Sequence, residues 1–205
     1  MKKIYFVLVA AALMMFGTPA KAQLGFGDKL SDLVEVTYSP SVLNVNVMGL
    51  DLKYSMPTFG VTFYEVRSLH STLPLYFQYG FGFQYSKADI ESFGDDIKLV
   101  TSTIPISVMY ELQVPSTNLL LYPYAGINLI DHIVGKSDGQ DIFDDDFMEG
   151  DSMGRFCMGW QIGARLVHDR YSFSFCYEGP LTGLYNEDGM KIGISQYNIS
   201  LGISF

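Results

Sequence analysis

Residues Tyr197 to Phe205 alternate without a break. Tyr197, Ile199, Leu201, Ile203 and Phe205 fall on one parity, and Asn198, Ser200, Gly202 and Ser204 on the other. Successive side chains of an extended strand point to opposite faces. The stretch is therefore a strand with one wholly apolar face and one small or polar face, and no helical period fits it. What that pattern means depends on whether other strands repeat it and on where the chain is sent.

The chain opens on a secretory leader. Lys2 and Lys3 give a basic start, Ile4 to Phe16 is an almost unbroken apolar run, and Ala20-Lys21-Ala22 is a small-x-small cleavage site. Residues 1–22 are expected to be removed as a signal peptide, leaving 23–205 as one domain. The run is too short for the ~20 residues of a spanning helix. The leader holds Lys2, Lys3 and Lys21 and no acid, so ten basic and 22 acidic side chains remain, a formal charge of −12. Such a balance argues against nucleic acid, whose phosphates demand lysine and arginine. Aromatics make up 15% of the chain and charged residues only 17%, with 20 glycines.

Beyond the leader no apolar run approaches a spanning helix, so a membrane reading requires a closed barrel. Alternation recurs through the chain. A first strand lies within Val34 to Val47, followed by a connection from Met48 to Pro57. A second runs from Phe59 to Leu69, with a parity shift at Tyr64-Glu65 that points to a bulge or an end outside lipid. Leu73 to Ser86 sets Phe77, Tyr79, Phe81, Phe83 and Tyr85 against Gln78, Gly80, Gly82 and Gln84. Ile97 to Leu112 and Leu119 to Val134 follow, the latter with Leu121, Ala125, Ile127 and Leu129 outward. Gly154 to Val167 sets Phe156, Met158, Trp160 and Ile162 against Arg155, Cys157, Gly159 and Gln161. Tyr171 to Glu178 repeats the scheme with Phe173 and Phe175. The last strand closes at Phe205. Ile192 and Ile194 are out of phase with it, which predicts a bulge or an exit from the membrane there.

Eight strands result, joined by connections that run long, short, long, short, long, short, long. The expected fold is all-β, an eight-stranded antiparallel up-and-down transmembrane β-barrel. Both termini and the short turns sit on the periplasmic side and the longer loops outside.

In this pattern the chain resembles the small outer-membrane β-barrel families, OmpA-like and PorT-like, of the Bacteroidetes type. The terminal strand ending in Phe205 resembles the signal read by the barrel-assembly machinery. Ile104-Pro105-Ile106 resembles the start of a middle strand in PorT-like barrels. The resemblance implies a bacterial outer-membrane location and, for the PorT-like group, an accessory role in secretion. These families share a fold more than a function.

The interior of an eight-stranded barrel is narrow enough to be filled by side chains. The inward set is expected to include Gln78, Gln84, Glu111, Arg155, Gln161, Arg165 and Glu178, as a hydrogen-bonded and ion-paired plug rather than a proton path or ligand site. Phe77, Tyr79, Phe81, Phe83, Trp160, Phe173, Phe175 and Phe205 are expected to face lipid. The acidic stretch with Asp138, Asp141, Asp144, Asp145 and Asp146 is a candidate for Ca²⁺ or for divalent bridges to lipopolysaccharide. It lacks the EF-hand order and reads better as a solvated loop. No cofactor is expected.

A lipid hydrolase would set a histidine beside a nucleophilic serine and an orienting acid. His132 next to Asp131 is the pairing available near the outer leaflet, but strand neighbours face opposite ways. For the thiols, setting Leu166 opposite Tyr171 places Cys157 opposite Pro180 and Cys176 opposite Gln161. That offset of four residues is about 13 Å along a strand, against the ~7 Å that a bridge allows, so two unbridged thiols are expected.

The function read from the sequence is that of a small integral outer-membrane barrel with a structural or surface-interaction role. Its partners would be outer-membrane lipid and lipopolysaccharide, with the barrel-assembly machinery during biogenesis and a secretion partner in the PorT-like case. The alternatives are a lipid- or lipopolysaccharide-modifying enzyme and a soluble periplasmic barrel around an apolar ligand.

Overall fold

The fold is taken from a computed structural model, which describes residues 29–70, 73–90, 95–115, 117–137, 139–144, 154–187 and 189–205. The predicted signal peptide lies outside the described residues. Eight long strands form the wall: β1 (Lys29–Val47), β2 (Leu50–Ser68), β3 (Leu75–Ile90), β4 (Asp95–Tyr110), β6 (Leu119–Ser137), β8 (Phe156–His168), β9 (Tyr171–Pro180) and β11 (Met190–Ser204). Three short strands accompany them. β5 (Leu112–Gln113) and β7 (Gln140–Asp141) pair with β6, and β10 (Tyr185–Glu187) pairs with β11.

Every wall strand is antiparallel to the next, and the sheet closes because β1 pairs with both β2 and β11. Val36, for example, lies opposite Val61 on one side and Leu201 on the other. Closure leaves no free edge along the wall. The eight-stranded up-and-down barrel expected from the sequence is the fold.

One end of the ring gathers the start of β1, the end of β11 (Leu33 opposite Ser204) and the two-residue turn Asp169-Arg170. We call this the terminal end. The opposite mouth is the far end. Met48 to Pro57 is not a long connection: β1 and β2 are joined by Met48-Gly49 alone. Both turn residues have positive φ, 51° and 89°, as a two-residue type I′ hairpin requires. The register of β2 runs unbroken through Tyr64-Glu65, so no bulge lies there. The parity shift marks the point where outward residues become polar, with Glu65 and Arg67 ion-paired beside each other.

The missing connection has a physical cause. On β1 the outward side chains Val36, Tyr38, Pro40 and Val42 give way to Asn44 and Asn46, while the inward Thr37, Ser39 and Ser41 give way to Leu43 and Val45. On β2 the outward Phe63, Val61, Phe59 and Pro57 give way to Ser55 and Lys53, and the inward Thr62 and Thr58 to Met56 and Tyr54. β11 does the same, with outward Tyr197 and Ile199 against inward Gln196 and Ser200, then outward Ser195 and Lys191 against inward Ile194 and Ile192. The change falls within one row of the same level on all three strands: Leu43 pairs with both Tyr54 and Ile194, while on β2 it has already begun at Met56, opposite Ser41. No bulge accompanies it: the β1–β11 register keeps one parity from Leu33–Ser204 to Val47–Met190. The wall stays continuous while its apolar face moves from outside to inside. Ile192 and Ile194 are out of phase with Tyr197 to Phe205 for this reason.

Below that level the outer face is a belt of exposed rings and aliphatic groups. Phe59, Phe63, Phe83, Trp160, Phe173, Phe175 and Leu201 each leave between 39% and 67% of their surface open. A closed ring with a broad outward apolar band and a polar interior is the build of outer-membrane-type barrels, because hydrocarbon is the solvent that suits such a face.

Candidate functional site

The interior is filled in three layers. At the terminal end Val66, Met109, Tyr122, Tyr124 and Cys176 pack together, joined by Tyr76, Leu120 and Val167. Glu111 stands at this mouth between β4 and β5 and accepts the Tyr122 hydroxyl at 2.7 Å. It caps the lumen rather than occupying its middle.

The middle layer is polar. Arg165, from β8, donates through Nε to Glu35 of β1 at 2.9 Å and through Nη1 to Gln78 of β3. Ser174 donates to the same Glu35 oxygen at 3.2 Å. The rings of Tyr64 and Tyr124 lie 5.3 and 5.8 Å from the Arg165 guanidinium carbon, within cation–π range. Nearer the far end Glu178 accepts from Asn128 and Gln196 at 2.9 Å each and from Asn198 at 3.4 Å. Gln161 is buried opposite Glu178 and donates to the Ile127 carbonyl at 3.3 Å.

Hydroxyls bind the neighbouring strands into this layer. Thr37 meets Ser200 at 2.8 Å, Ser41 donates to Thr58 at 3.0 Å, and Thr58 meets Ser86 at 2.8 Å. A polar cavity of about 20 Å³ remains, bordered by Glu35, Gln84, Asn128 and Glu178, room for a single water.

The outer layer is apolar. Leu43, Met56, Ala88, Leu99, Cys157 and Ile192 line it, and Ile142, Phe143 and Leu184 fold into it from the far-end connections. Ile142 donates its N–H to the Gly135 carbonyl at 3.1 Å, and Gly154 donates to the Leu184 carbonyl at 2.6 Å. Phe143 packs directly on Gly135: a Cβ there would lie 2.3 Å from its ring and would displace it. A second cavity, of about 40 Å³, lies under this cap beside Thr101, His132, Cys157 and Glu178. Both cavities are too small for a metabolite.

Of the seven polar residues expected inside, Gln78, Gln84, Gln161, Arg165 and Glu178 share the middle layer. Arg155 does not. It precedes β8 at the far end, pairs with Asp141 at 3.2 Å and lies 4.9 Å from the Phe143 ring centre. Its carbonyl accepts from the backbone N–H of the inward-facing His132 and its guanidinium lies over a ring of the cap, so it stands on the lumen side at the far-end mouth rather than in the middle layer. Glu35, the acid that meets Arg165, was missed. It stands on one parity with Thr37, Ser39 and Ser41, opposite Val36, Tyr38, Pro40 and Val42, and that alternation is the signal that would have found it.

On the outer face, Phe77, Tyr79 and Phe81 are half-covered by one another and by Phe83, with ring centres 5.7 Å apart for Phe77–Tyr79 and 4.8 Å for Phe81–Phe83. Phe205 is 73% exposed. Of the acidic stretch, Asp141 and Asp144 are described, whereas Asp138, Asp145 and Asp146 lie outside the described residues. The Asp141 carboxylate is committed to Arg155 and to the Phe143 N–H. No cluster of three or more His, Cys, Asp or Glu able to hold a metal occurs among the described residues.

His132 is buried, with Nδ1 3.0 Å from the Thr101 hydroxyl, while Asp131 is on the outward parity opposite Phe156. Cys157 and Cys176 are both buried and unbridged. Their register differs from the expected one, because Leu166 pairs with Phe173 and Cys176 with Gly163. The two thiols are thus offset by six residues rather than four.

This construction defines a small outer-membrane-type β-barrel with an occluded interior. Solved structures of similar build include Ail, the attachment invasion locus protein of Yersinia pestis, crystallised with the heparin analogue sucrose octasulfate. It is 12% identical with a TM-score of 0.44, over 85% of this chain and 99% of that one. Neisserial surface protein A is 13% identical with a TM-score of 0.44, over 84% and 95%. The outer membrane enzyme PagL is 13% identical with a TM-score of 0.46, over 82% and 98%. No family model matches the chain, and no curated protein matches it.

Proposed function

We propose that this protein is an integral barrel of the bacterial outer membrane that acts through its far-end rim, as a structural or surface-interacting element, and not through its lumen. The observation that carries the reading is the stacking of three filled layers, with cavities of about 20 and 40 Å³. The far end faces the cell exterior in this reading, since the start of β1 and the end of β11 lie together at the opposite mouth. The barrel-assembly machinery is the partner during insertion, in line with the resemblance carried by the terminal strand. A role as a secretion accessory is the finer form of the same reading and rests on Ile104-Pro105-Ile106.

On this proposal the protein is not an enzyme. The buried His132 contacts Thr101, Asp131 is on the opposite parity, and Arg155 and Asp141 satisfy each other. Planar-bilayer recording with the folded, heat-modifiable protein tests the proposal: no steady conductance is expected. A stable open channel would overturn it, as would release of acyl chains or phosphate from purified lipopolysaccharide that is lost in His132→Ala.

A further inference from the structure

The outer face carries one arrangement that the filled lumen does not explain. β3, β4 and β6 bring three lysines into a single cross-strand row: Lys87 is the register partner of Lys98, and Lys98 of Lys136. The row depends on an irregularity in β6. Thr101 pairs with His132 and Val100 with Val134, so Ile133 is an extra residue. Even-numbered side chains turn inward up to His132 and outward from Val134, and this phase change puts Lys136 in line with Lys98. A bulge re-aims side chains in this way.

Directly beneath, Tyr85, Val100 and Val134 form the preceding outward row, also in register. The lysines therefore follow at once on an apolar outward row; the row below that is Phe83, Ser102 and Asp131, and apolar positions resume at Phe81, Ile104 and Leu129. Only six lysines remain beyond the leader in a chain whose formal charge is then −12, and half of them stand in this row.

Like charges directly opposite one another on neighbouring strands are unfavourable. Lys87 is ion-paired with Asp96 at 2.9 Å. Lys98 and Lys136 are exposed and have no ion pair among the described residues. Asp141, the register partner of Lys136, gives its carboxylate to Arg155 instead. Two adjacent ammonium groups thus face outward, one row above Tyr85, Val100 and Val134.

We propose that Lys98 and Lys136, with Lys87 at the end of the row, bind the phosphates of a phosphorylated glycolipid headgroup of the lipid A class. The proposal rests on the outer-membrane reading above. Charge complementarity sets the ligand chemistry, and the apolar row beneath sets its source: the acyl chains lie along Tyr85, Val100 and Val134 while the phosphates reach the ammonium groups. Charge-assisted bonds of this kind are short and strong, and lysine serves them as a point charge.

The test uses the full chain inserted in phosphatidylcholine vesicles that carry bisphosphorylated lipid A, dephosphorylated lipid A, or neither with added inorganic phosphate. The readout is the urea concentration at which the heat-modifiable gel form is lost. Bisphosphorylated lipid A is expected to raise that midpoint, and the other two conditions to leave it unchanged. Lys98→Gln with Lys136→Gln should abolish the rise, while Lys53→Gln with Lys191→Gln should keep it. An equal rise with the dephosphorylated lipid, or a rise retained in the Lys98/Lys136 variant, overturns the proposal. A full response to inorganic phosphate alone replaces the lipid with a free anion and overturns it as well. Failure to insert into any vesicle overturns the outer-membrane reading too, whereas insertion without phosphate dependence overturns the lysine row alone.

Discussion

Arg165 of β8 reaches across the lumen to Glu35 of β1 and donates through Nε at 2.9 Å, with both side chains 3% exposed. The two strands are three apart in the ring, with β9 and β11 between them, so the pair ties together walls that share no ladder. Removing one partner strands the other as a buried charge, at a cost of about 3–5 kcal/mol, whereas replacing both with apolar groups of similar volume is close to neutral. Glu35→Ala and Arg165→Ala should each lower the urea midpoint of the folded barrel sharply. Glu35→Leu combined with Arg165→Met should recover most of the loss. A double variant no better than the singles would contradict the pairing.

The exchange of faces along β1, β2 and β11 predicts opposite outcomes at two outward positions of one strand. A lysine near mid-bilayer costs about 2–4 kcal/mol and close to nothing beyond the lipid. Val61→Lys should therefore impair insertion or stability, and Ser55→Lys should be tolerated. Equal effects at the two sites, measured by refolding yield in lipid vesicles, would remove the boundary placed between Met56 and Pro57.

Inside the far end the logic runs the other way. Met56 is fully buried in the outer apolar layer, so Met56→Ala should cost about 2–5 kcal/mol by cavity formation. Gly135→Val should drive the Phe143 ring out of the cap, given the 2.3 Å approach a Cβ would make. Conductance should stay absent in that variant, because the polar middle layer still fills the lumen, while proteolysis near Phe143 should accelerate.

Alkylation read by intact mass separates the thiols from a disulfide. Cys157 and Cys176 are 4% and 3% exposed, so the folded barrel should take up no label and the unfolded chain two, with no reductant. Uptake of none by the unfolded chain would mean a bridge.

Much of the fold is legible from alternation. Leu73 to Ser86, Gly154 to Val167 and Tyr171 to Glu178 show their faces plainly, since each has rings on one parity and glycine, serine or amides on the other. The pattern fails where the solvent outside the wall changes. Met48 to Pro57 looked like a connection because its apolar residues, Leu52, Tyr54 and Met56, sit on the parity that carries Thr58 and Thr62 lower down. A rule written for one solvent reads that as loss of the strand. The lumen was legible where it is long-range and polar, as with Gln78, Arg165 and Glu178. Arg155 lies at the far-end mouth rather than mid-lumen, because parity says nothing about height along the barrel. The cysteine register slipped because a two-residue turn and a longer one differ by two positions in every pair that follows.

The Met48-Gly49 turn bears on how the molecule meets its surroundings. A wall that runs on to its hairpin as paired backbone, held by Met48 N–H to the Gly189 carbonyl at 2.9 Å, gives a protease on that side no slack peptide to grip at that point. An antibody that recognises this side would read a folded shape, and boiling the antigen would erase its epitope.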